Sequence, residues 1–160
     1  MAVLAPISNF KMTNYKIYIA ACLIFGGVFA YDGYLSKYEW SLRRSFYEKH
    51  VNEGKPDDTM IFNRVSPIIL AVVAVILAAK FWSLKDRKIL AEEDRLIISE
   101  KEKIPYSSIQ KIDKTNFNPT RGFFTITCKG DDGREVVRKI SSKDYDNLQA
   151  VLDLLVAKIS

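Results

Sequence analysis

Cysteine and histidine are nearly absent from this chain of 160 residues. The two cysteines, Cys22 in an apolar run and Cys128 in a strand-like run, supply neither a disulfide framework nor a cysteine-rich metal site. The single histidine, His50, lies among charged residues, where we expect a solvated imidazole rather than a ligand or a catalytic base. The sequence therefore predicts no metal site and no bound cofactor.

A large excess of one charge is also lacking, as are the common catalytic motifs. There are 24 basic and 19 acidic residues, an imbalance too small to indicate a nucleic-acid partner. No nucleophile stands near a base, no carboxylates pair at a useful spacing, and no glycine-rich loop could hold a phosphate. We therefore predict that the chain is not an enzyme and has no catalytic residues.

Two long apolar runs are present instead. Residues 17–31 are all apolar, glycine or tyrosine, and residues 68–79 contain no polar side-chain atom. A helix that is apolar on every side needs lipid or a large protein interior, and 160 residues cannot build such an interior. The runs predict transmembrane helices at about 15–34 and 65–82. For the first run a buried core helix stays open, as does a signal sequence cleaved after Ala30.

Basic residues flank the two predicted helices on the same side. Lys11 and Lys16 precede the first helix, and a denser group follows the second. The segment between the helices also carries six basic residues, but they are spread over a greater length. The denser basic residues on the flanks predict a multi-pass membrane protein with both termini in the cytoplasm. The group that follows the second helix is expected to contact anionic membrane lipids. Its members are Lys80, Lys85, Arg87 and Lys88.

The segment between the helices, residues 35–64, is predicted to form an extramembrane elbow. Tyr34, Tyr38 and Leu42 recur at helical spacing, so we expect the first helix to continue beyond the bilayer. The run Asp57-Asp58-Thr59 can cap the second helix by offering side-chain oxygens to free backbone N–H groups. The aromatic residues predicted to meet a partner here are Trp40, Phe46 and Tyr47.

Small residues recur four apart within both predicted membrane helices. Such rows allow helix backbones to approach closely, either within one hairpin or between subunits. The candidate packing residues are Gly26, Ala30, Ala74 and Ala78.

The C-terminal half has a different pattern. A helical hairpin at residues 1–82 and a linker at 83–88 lead to a β-rich domain at 89–160. About five short β-branched or aromatic runs predict strands, and the turn from Gly130 to Gly133 predicts a hairpin whose Asp131 and Asp132 are solvated. The last run has helical period with Ser142 as its expected N-cap. The predicted fold class is α+β, with one amphipathic helix on a small antiparallel sheet.

Three segments and the closing helix carry a resemblance to a known family. They are Leu96-Ile97-Ile98-Ser99, the run from Lys103 to Ile109, and the strand from Gly122 to Thr127. Together they resemble the bacterial pleckstrin-homology-like (PH-like) domain family. The resemblance implies a small roll or partial barrel, a bacterial inner-membrane location and a role in binding or assembly. It implies no catalytic residues. The acidic turn at residues 92–94 argues against lipid-headgroup binding there, because carboxylates repel phosphate.

We therefore expect an integral membrane protein that presents a cytoplasmic PH-like interaction domain, as an anchor or accessory assembly subunit. Its expected partners are membrane lipids and other membrane or cytoplasmic proteins, or a second copy of itself. Phe117 and Arg121 are the predicted partner contacts on the β-rich domain, since loop aromatics and arginines often anchor interfaces. Two alternatives stay open, a membrane-tethered sensor of lipid or a small ligand, and a structural hairpin that binds its partner through the elbow.

Overall fold

The computed structural model describes residues 2–100, 102–130 and 133–159. The chain is α+β and divides into two compact units, Met1–Thr13 with Trp82–Ser160, and Asn14–Phe81. Asp131 and Asp132, predicted to be solvated, lie outside the described residues. The elements in chain order are β1 Val3–Pro6, α1 Asn9–Ala30 with a π-helical turn Tyr31–Leu35, α2 Arg44–His50, β2 Val51–Asn52, β3 Lys55–Pro56, α3 Asp58–Leu84, β4 Lys88–Ala91, β5 Arg95–Ser99, β6 Glu102–Pro105, a 3-10 turn Tyr106–Ser108, β7 Ile109–Asp113, β8 Phe123–Lys129, β9 Glu135–Ser141 and α4 Leu148–Ile159.

Two long apolar helices dominate the unit Asn14–Phe81. Asn9–Leu35 and Asp58–Leu84 are each 27 residues long, and both are long and apolar enough to cross a membrane. Both begin before the predicted bounds, because backbone hydrogen bonding extends the helix past its apolar run. At the start of α3, Asp57 Oδ1 accepts a hydrogen bond from the Met60 N–H at 2.9 Å, which confirms the predicted cap.

The predicted continuation of the first helix is wrong. The helix ends in the π-helical turn Tyr31–Leu35, and the chain then turns back instead of following a helical face to Phe46. A short helix α2 and the two-stranded hairpin β2–β3 follow. Glu53 and Gly54 form its turn with φ of 50° and 77°, the left-handed conformation that such tight hairpins require. Tyrosine and leucine spacing alone could not reveal this break.

Two antiparallel sheets and one helix form the other unit. One sheet has the order β1-β4-β5-β6 and the other β7-β8-β9. Phe124 and Ile126 on β8 are fully buried, and they share one hydrophobic core with the apolar face of α4. The predicted hairpin across Gly130 to Gly133 is confirmed, since β8 and β9 pair along their whole length. The amphipathic α4 is also confirmed, with its buried residues Leu148, Val151, Leu152 and Leu155.

The first strand comes from the N-terminus and was not predicted. Leu4 pairs with Leu90 and Ala5 with Ile89, so β1 forms an edge of the four-stranded sheet beside β4. Ala5 is completely buried. A four-residue strand is too short to show a period, and its partner lies far along the chain, so residues 1–82 read as one helical segment from sequence alone.

The predicted N-cap of the closing helix is wrong as well. Helix α4 begins at Leu148, not after Ser142. Asn147 has a φ of 61°, a left-handed conformation that interrupts the helical spacing running from Tyr145. The Ser142 hydroxyl instead lies 2.6 Å from the Asn118 carbonyl and 3.0 Å from the Gly122 carbonyl, and it fixes the β7–β8 connection.

Candidate functional site

An ion pair between a buried carboxylate and a half-exposed guanidinium lies where α1 ends and the elbow begins. Arg43 Nε and Nη2 each donate to a different carboxylate oxygen of Asp32, both at 2.9 Å. The Asp32 side chain is only 9% exposed, whereas that of Arg43 is 51% exposed. The hydrogen bond to Asp32 is the largest cause that raises the pKa of Arg43. A two-bond pair of this kind fixes the guanidinium in both position and plane.

Hydroxyl groups complete the polar cluster around this pair. Ser36 is fully buried; its backbone N–H donates to the Tyr31 carbonyl at 3.0 Å, and its hydroxyl donates to the Asp32 carbonyl. Ser41 Oγ lies 3.2 Å from the Tyr31 hydroxyl and accepts from the Arg43 N–H at the same distance. The cluster therefore satisfies the backbone groups that the end of the helix leaves unpaired.

Close backbone contact joins the elbow end of α1 to α3. A Cβ atom on Gly33 would lie 2.6 Å from the Asn63 carbonyl oxygen, closer than real Cβ atoms come. Tyr34 donates its hydroxyl to the Arg64 carbonyl at 2.7 Å, and Arg64 Nε donates to the Gly33 carbonyl at 3.1 Å. Gly33 is thus the point where the two long helices touch through their backbones.

Sequence reasoning missed this cluster. Asp32 and Gly33 fall within the helix predicted at about 15–34, and neither was given a role. The signal was available, because a carboxylate at the end of an apolar helix needs a cationic partner, and Arg43 and Arg44 follow within the elbow. Choosing between the two arginines required the path of the loop, which the periodicity does not contain.

An open groove of about 570 Å³ runs along α1 toward this ion pair. Its floor is apolar and its far end is polar, with Asp32 and Arg43. A Cβ built on Gly27 would have no other atom within 4 Å, so the missing side chain deepens the groove. The floor is formed by Leu23, Ile24, Gly27 and Val28.

The three predicted elbow contacts lie in different settings. Trp40 is 66% exposed and stacks on Tyr38 with ring centroids 5.5 Å apart. Phe46 and Tyr47 are half-buried, and the guanidinium groups of Arg43 and Arg44 lie over their rings at 5.1 and 5.3 Å. The apolar tip of the elbow therefore consists of Trp40 with Leu42, a residue that sequence reasoning did not select and that is 94% exposed.

His50 is not the solvated imidazole that we expected. Its side chain is 15% exposed, its Nδ1 lies 2.7 Å from Asp57 Oδ2, and its ring packs on Phe46 at 4.4 Å. The hydrogen bond to His50 is the largest cause that lowers the pKa of Asp57, followed by the bond from the Met60 N–H. The prediction failed because β2–β3 folds residue 50 back against the start of α3.

The predicted packing residues divide between the two long helices. A Cβ on Gly26 would meet the Leu70 Cβ at 3.7 Å, an ordinary contact, so α1 faces α3 at this point. Ala74 is buried, while Ala30 and Ala78 are half-buried. Their role between subunits stays a prediction.

The predicted lipid contacts lie at the C-terminal end of α3 and just beyond it. Within the helical unit, Lys80 is exposed, and Lys16 lies 5.9 Å from the centroid of the Phe81 ring. In the other unit, Lys85 lies 4.6 Å from the centroid of the Trp82 ring. Arg87 and Lys88 are exposed. Cations beside aromatic rings are typical of a membrane interface.

The predicted contacts of the β-rich unit lie on the β7–β8 connection. Phe117 is half-buried and packs edge-on against Phe124, 5.7 Å between centroids, so it also belongs to the core. Arg121 is exposed. Asn118 Oδ1 orders the loop by accepting from the Thr120 N–H at 2.9 Å. The loop thus holds Arg121 outward on a fixed turn.

A cleft of about 790 Å³ opens on the outer side of β4, β5 and β6. Leu90 pairs with Ile97 on its floor, and Lys88 and Lys103 lie at its rim. Tyr145 also lines it, and burial is the largest cause that raises the pKa of its phenol. The acidic turn before β5 is locally paired, since Arg95 donates to both carboxylate oxygens of Asp94 at 2.9 and 2.8 Å.

Within residues 2–100, 102–130 and 133–159, no three side chains of the metal-ligating types gather into a group that could hold an ion. The structural features that remain as candidate sites are the ion pair with its groove, the elbow tip and the outer cleft of the sheet. The chain matches no family model, no curated protein and no solved structure.

Proposed function

We propose that this chain is an integral membrane protein with two membrane-spanning helices, and that it presents its α+β domain as an anchor or accessory assembly subunit without catalysis. The main support for this proposal is the exposed apolar surface of α1 and α3. Leu23 is 63% and Val75 69% exposed, with many similar neighbours. Soluble monomers rarely expose apolar patches larger than a few hundred Å², so lipid is the environment that fits these helices.

Helix length supports the same proposal. Each helix has 27 residues, or about 40 Å at 1.5 Å per residue. The hydrocarbon core of a bilayer is about 30 Å thick, so each helix can cross it with a tilt or with a turn in each interface. Resistance to alkaline carbonate extraction tests the location. Release of the full-length chain into the supernatant would contradict it.

The pairing of β1 with β4 supports the proposed topology. Strand β1 precedes the two long helices in the chain and β4 follows them, yet the two strands pair in one sheet. They must therefore lie on the same side of any membrane that the helices cross. The basic residues near both helices favour the cytoplasm as that side, in a bacterial inner membrane. Cleavage after Ala30 would separate β1 from its sheet partner, so the pairing favours an uncleaved first helix.

Cysteine labelling tests this topology. In a chain whose own cysteines are changed to alanine, Asn52→Cys reports the exposed elbow and Gln149→Cys the exposed face of α4. We expect a membrane-impermeant maleimide to label Asn52→Cys in intact cells and Gln149→Cys only after lysis. The opposite pattern would invert the proposed orientation.

We further propose that the C-terminal unit is a PH-like roll to which β1 adds one strand. Two antiparallel sheets of four and three strands, closed by one C-terminal helix, support this assignment. Such a domain acts through contact, and Phe117 and Arg121 on the ordered β7–β8 connection are the residues we assign to it.

The assembly role is tested by purification in a mild detergent after cross-linking in cells. We expect stoichiometric protein neighbours that decrease with Arg121→Glu on the exposed loop. Trp40→Ser at the elbow is the matched comparison. Loss of neighbours with Trp40→Ser alone would support instead the structural hairpin that binds through its elbow. The absence of any neighbour would contradict a role in assembly.

A second candidate function is favoured by the outer cleft of the sheet. Its apolar floor at Leu90 and Ile97 and its charged rim, which holds both basic and acidic side chains, suit a lipid or a small amphiphilic ligand. A membrane-tethered sensor would retain such a molecule through purification and lose it with Ile97→Arg. Full retention by that variant would exclude the cleft as the sensing site.

A further inference from the structure

The groove on α1 combines an apolar floor with a polar end, where Asp32 holds the half-exposed guanidinium of Arg43, and this combination is the chemistry of a single amphiphile. We propose that it binds one glycerophospholipid molecule, with an acyl chain on the floor and the phosphate at Arg43. This inference rests on the proposed membrane location of the helices. It goes beyond that location, because it assigns a specific lipid site to residues of the helical unit.

The shape of the floor suits an acyl chain. At Gly27 the floor has no side chain, and a Cβ there would have no other atom within 4 Å, while Leu23 and Val28 line the groove beside it. An unbranched acyl chain can lie in such a channel. A side chain larger than that of glycine at position 27 would fill it. The floor is continuous with the exposed apolar surface at Ile24, which the proposed function places in lipid.

The polar end suits a phosphate diester. An arginine has five N–H donors, and the bonds to Asp32 use Nε and Nη2. Asp32 fixes the plane of the guanidinium, and the Arg43 side chain lines the groove and is half exposed, so it can offer further N–H groups to a ligand there. A phosphate oxygen is the acceptor that matches this fixed fork.

A phospholipid fits the groove better than a helix of another subunit. Asp32 neutralises the charge of Arg43, but a packed apolar helix would bury the exposed half of its side chain and offer no acceptor to the N–H groups there. A phospholipid supplies an acyl chain for the apolar floor and a phosphate for the guanidinium of Arg43. A neutral amphiphile such as diacylglycerol offers the guanidinium only uncharged acceptors, which form weaker hydrogen bonds than a phosphate does, so it is not the preferred occupant.

Native mass spectrometry of the full-length protein in a mild detergent tests the site. Dioleoyl phosphatidylglycerol is added, and the fraction of protein with one retained lipid is measured. We expect Arg43→Gln to lower retention about tenfold, the effect of losing a charged hydrogen bond. Gly27→Leu should give a similar loss by filling the groove while leaving the ion pair intact. Ala71→Leu, an exposed small-to-large change on α3, is the control and should retain lipid normally.

The outcomes separate this inference from the proposed function. Carbonate extraction of the chain would overturn the membrane location itself. Membrane insertion together with wild-type lipid retention by Gly27→Leu would overturn only the groove. Equal retention of dioleoylglycerol would overturn the role of Arg43, and a dimer that Gly27→Leu abolishes would assign the groove to a second copy of the chain.

Discussion

The α-carbon of Gly33 lies so near the backbone of Asn63 that a side chain at position 33 would meet the Asn63 carbonyl oxygen at 2.6 Å. This contact is where the elbow end of the first long helix meets the second. Only glycine permits it, because any Cβ atom would have to displace backbone rather than a flexible side chain.

Gly33→Ala should therefore destabilise the helical unit by about 1–3 kcal/mol, the usual cost of overpacking. Gly27→Ala is the matched control, since a Cβ there meets no atom within 4 Å. We expect it to be neutral or slightly stabilising, because alanine favours helix more than glycine. Unfolding of the detergent-solubilised chain, followed by circular dichroism, measures both. Equal stability of the two variants would contradict the close contact.

The pair formed by Asp32 and Arg43 makes a second prediction. Arg43→Gln leaves a buried carboxylate without its cation and should cost about 2–3 kcal/mol, less than a fully buried pair because half of Arg43 is exposed. The double variant with Asp32→Asn should recover part of this loss. A double-mutant cycle on unfolding free energies measures the coupling. Additive losses would show that the pair does not couple.

The bond between His50 and Asp57 makes the stability depend on pH. The folded state lowers the pKa of Asp57 below its ordinary value of 3.8. Its stabilising effect is therefore present above that value and is lost as the pH falls through the lower, folded pKa. NMR titration of the Asp57 carboxyl carbon should show a midpoint below 3.8.

His50→Gln should return that midpoint toward the ordinary value, because it removes the largest cause of the shift. Asp57→Asn should flatten the pH dependence of the thermal midpoint between about pH 4 and the folded pKa. An unchanged Asp57 midpoint in His50→Gln would show that the bond from the Met60 N–H is sufficient.

The strand β1 makes a prediction on two adjacent residues. Ala5 is fully buried while Leu4, on the opposite face, is 44% exposed. Ala5→Asp should destabilise the α+β unit by more than about 3 kcal/mol through a buried charge, whereas Leu4→Asp should have little effect. The thiol of Cys128 is buried and reports the difference. In a Cys22→Ala chain, it should react faster in Ala5→Asp than in Leu4→Asp.

The parts of the fold that were predictable from sequence depend on residues that are close together in the chain. Long apolar runs predict the two helices, although not their ends, since hydrogen bonding continues through Asn9 and Asp58. Gly130 and Gly133 predict the β8–β9 hairpin from sequence, and Gly133 adopts the left-handed conformation expected of such a turn, with a φ of 78°. In each case the relevant residues are neighbours in the chain.

The remainder depends on contacts between distant residues. Gly33 meets Asn63 only after the elbow has turned, and the guanidinium of Arg43 reaches Asp32 through a loop without periodicity. The same holds for Ser142, whose hydroxyl serves the β7–β8 connection instead of a helix start. Composition and spacing carry no information about such partners.

The position of Ala5 opposite Ile89 also governs the order of events during synthesis. The first strand leaves the ribosome long before its neighbour β4 exists, and everything that would enter the bilayer is made in the interval. In the proposed membrane protein, β1 can pair with β4 only when the chain between them has crossed the membrane and returned to the original side. A β-rich domain completed by β1 would therefore exclude molecules in which only one helix has crossed, and a partner that recognises it would not recruit those molecules.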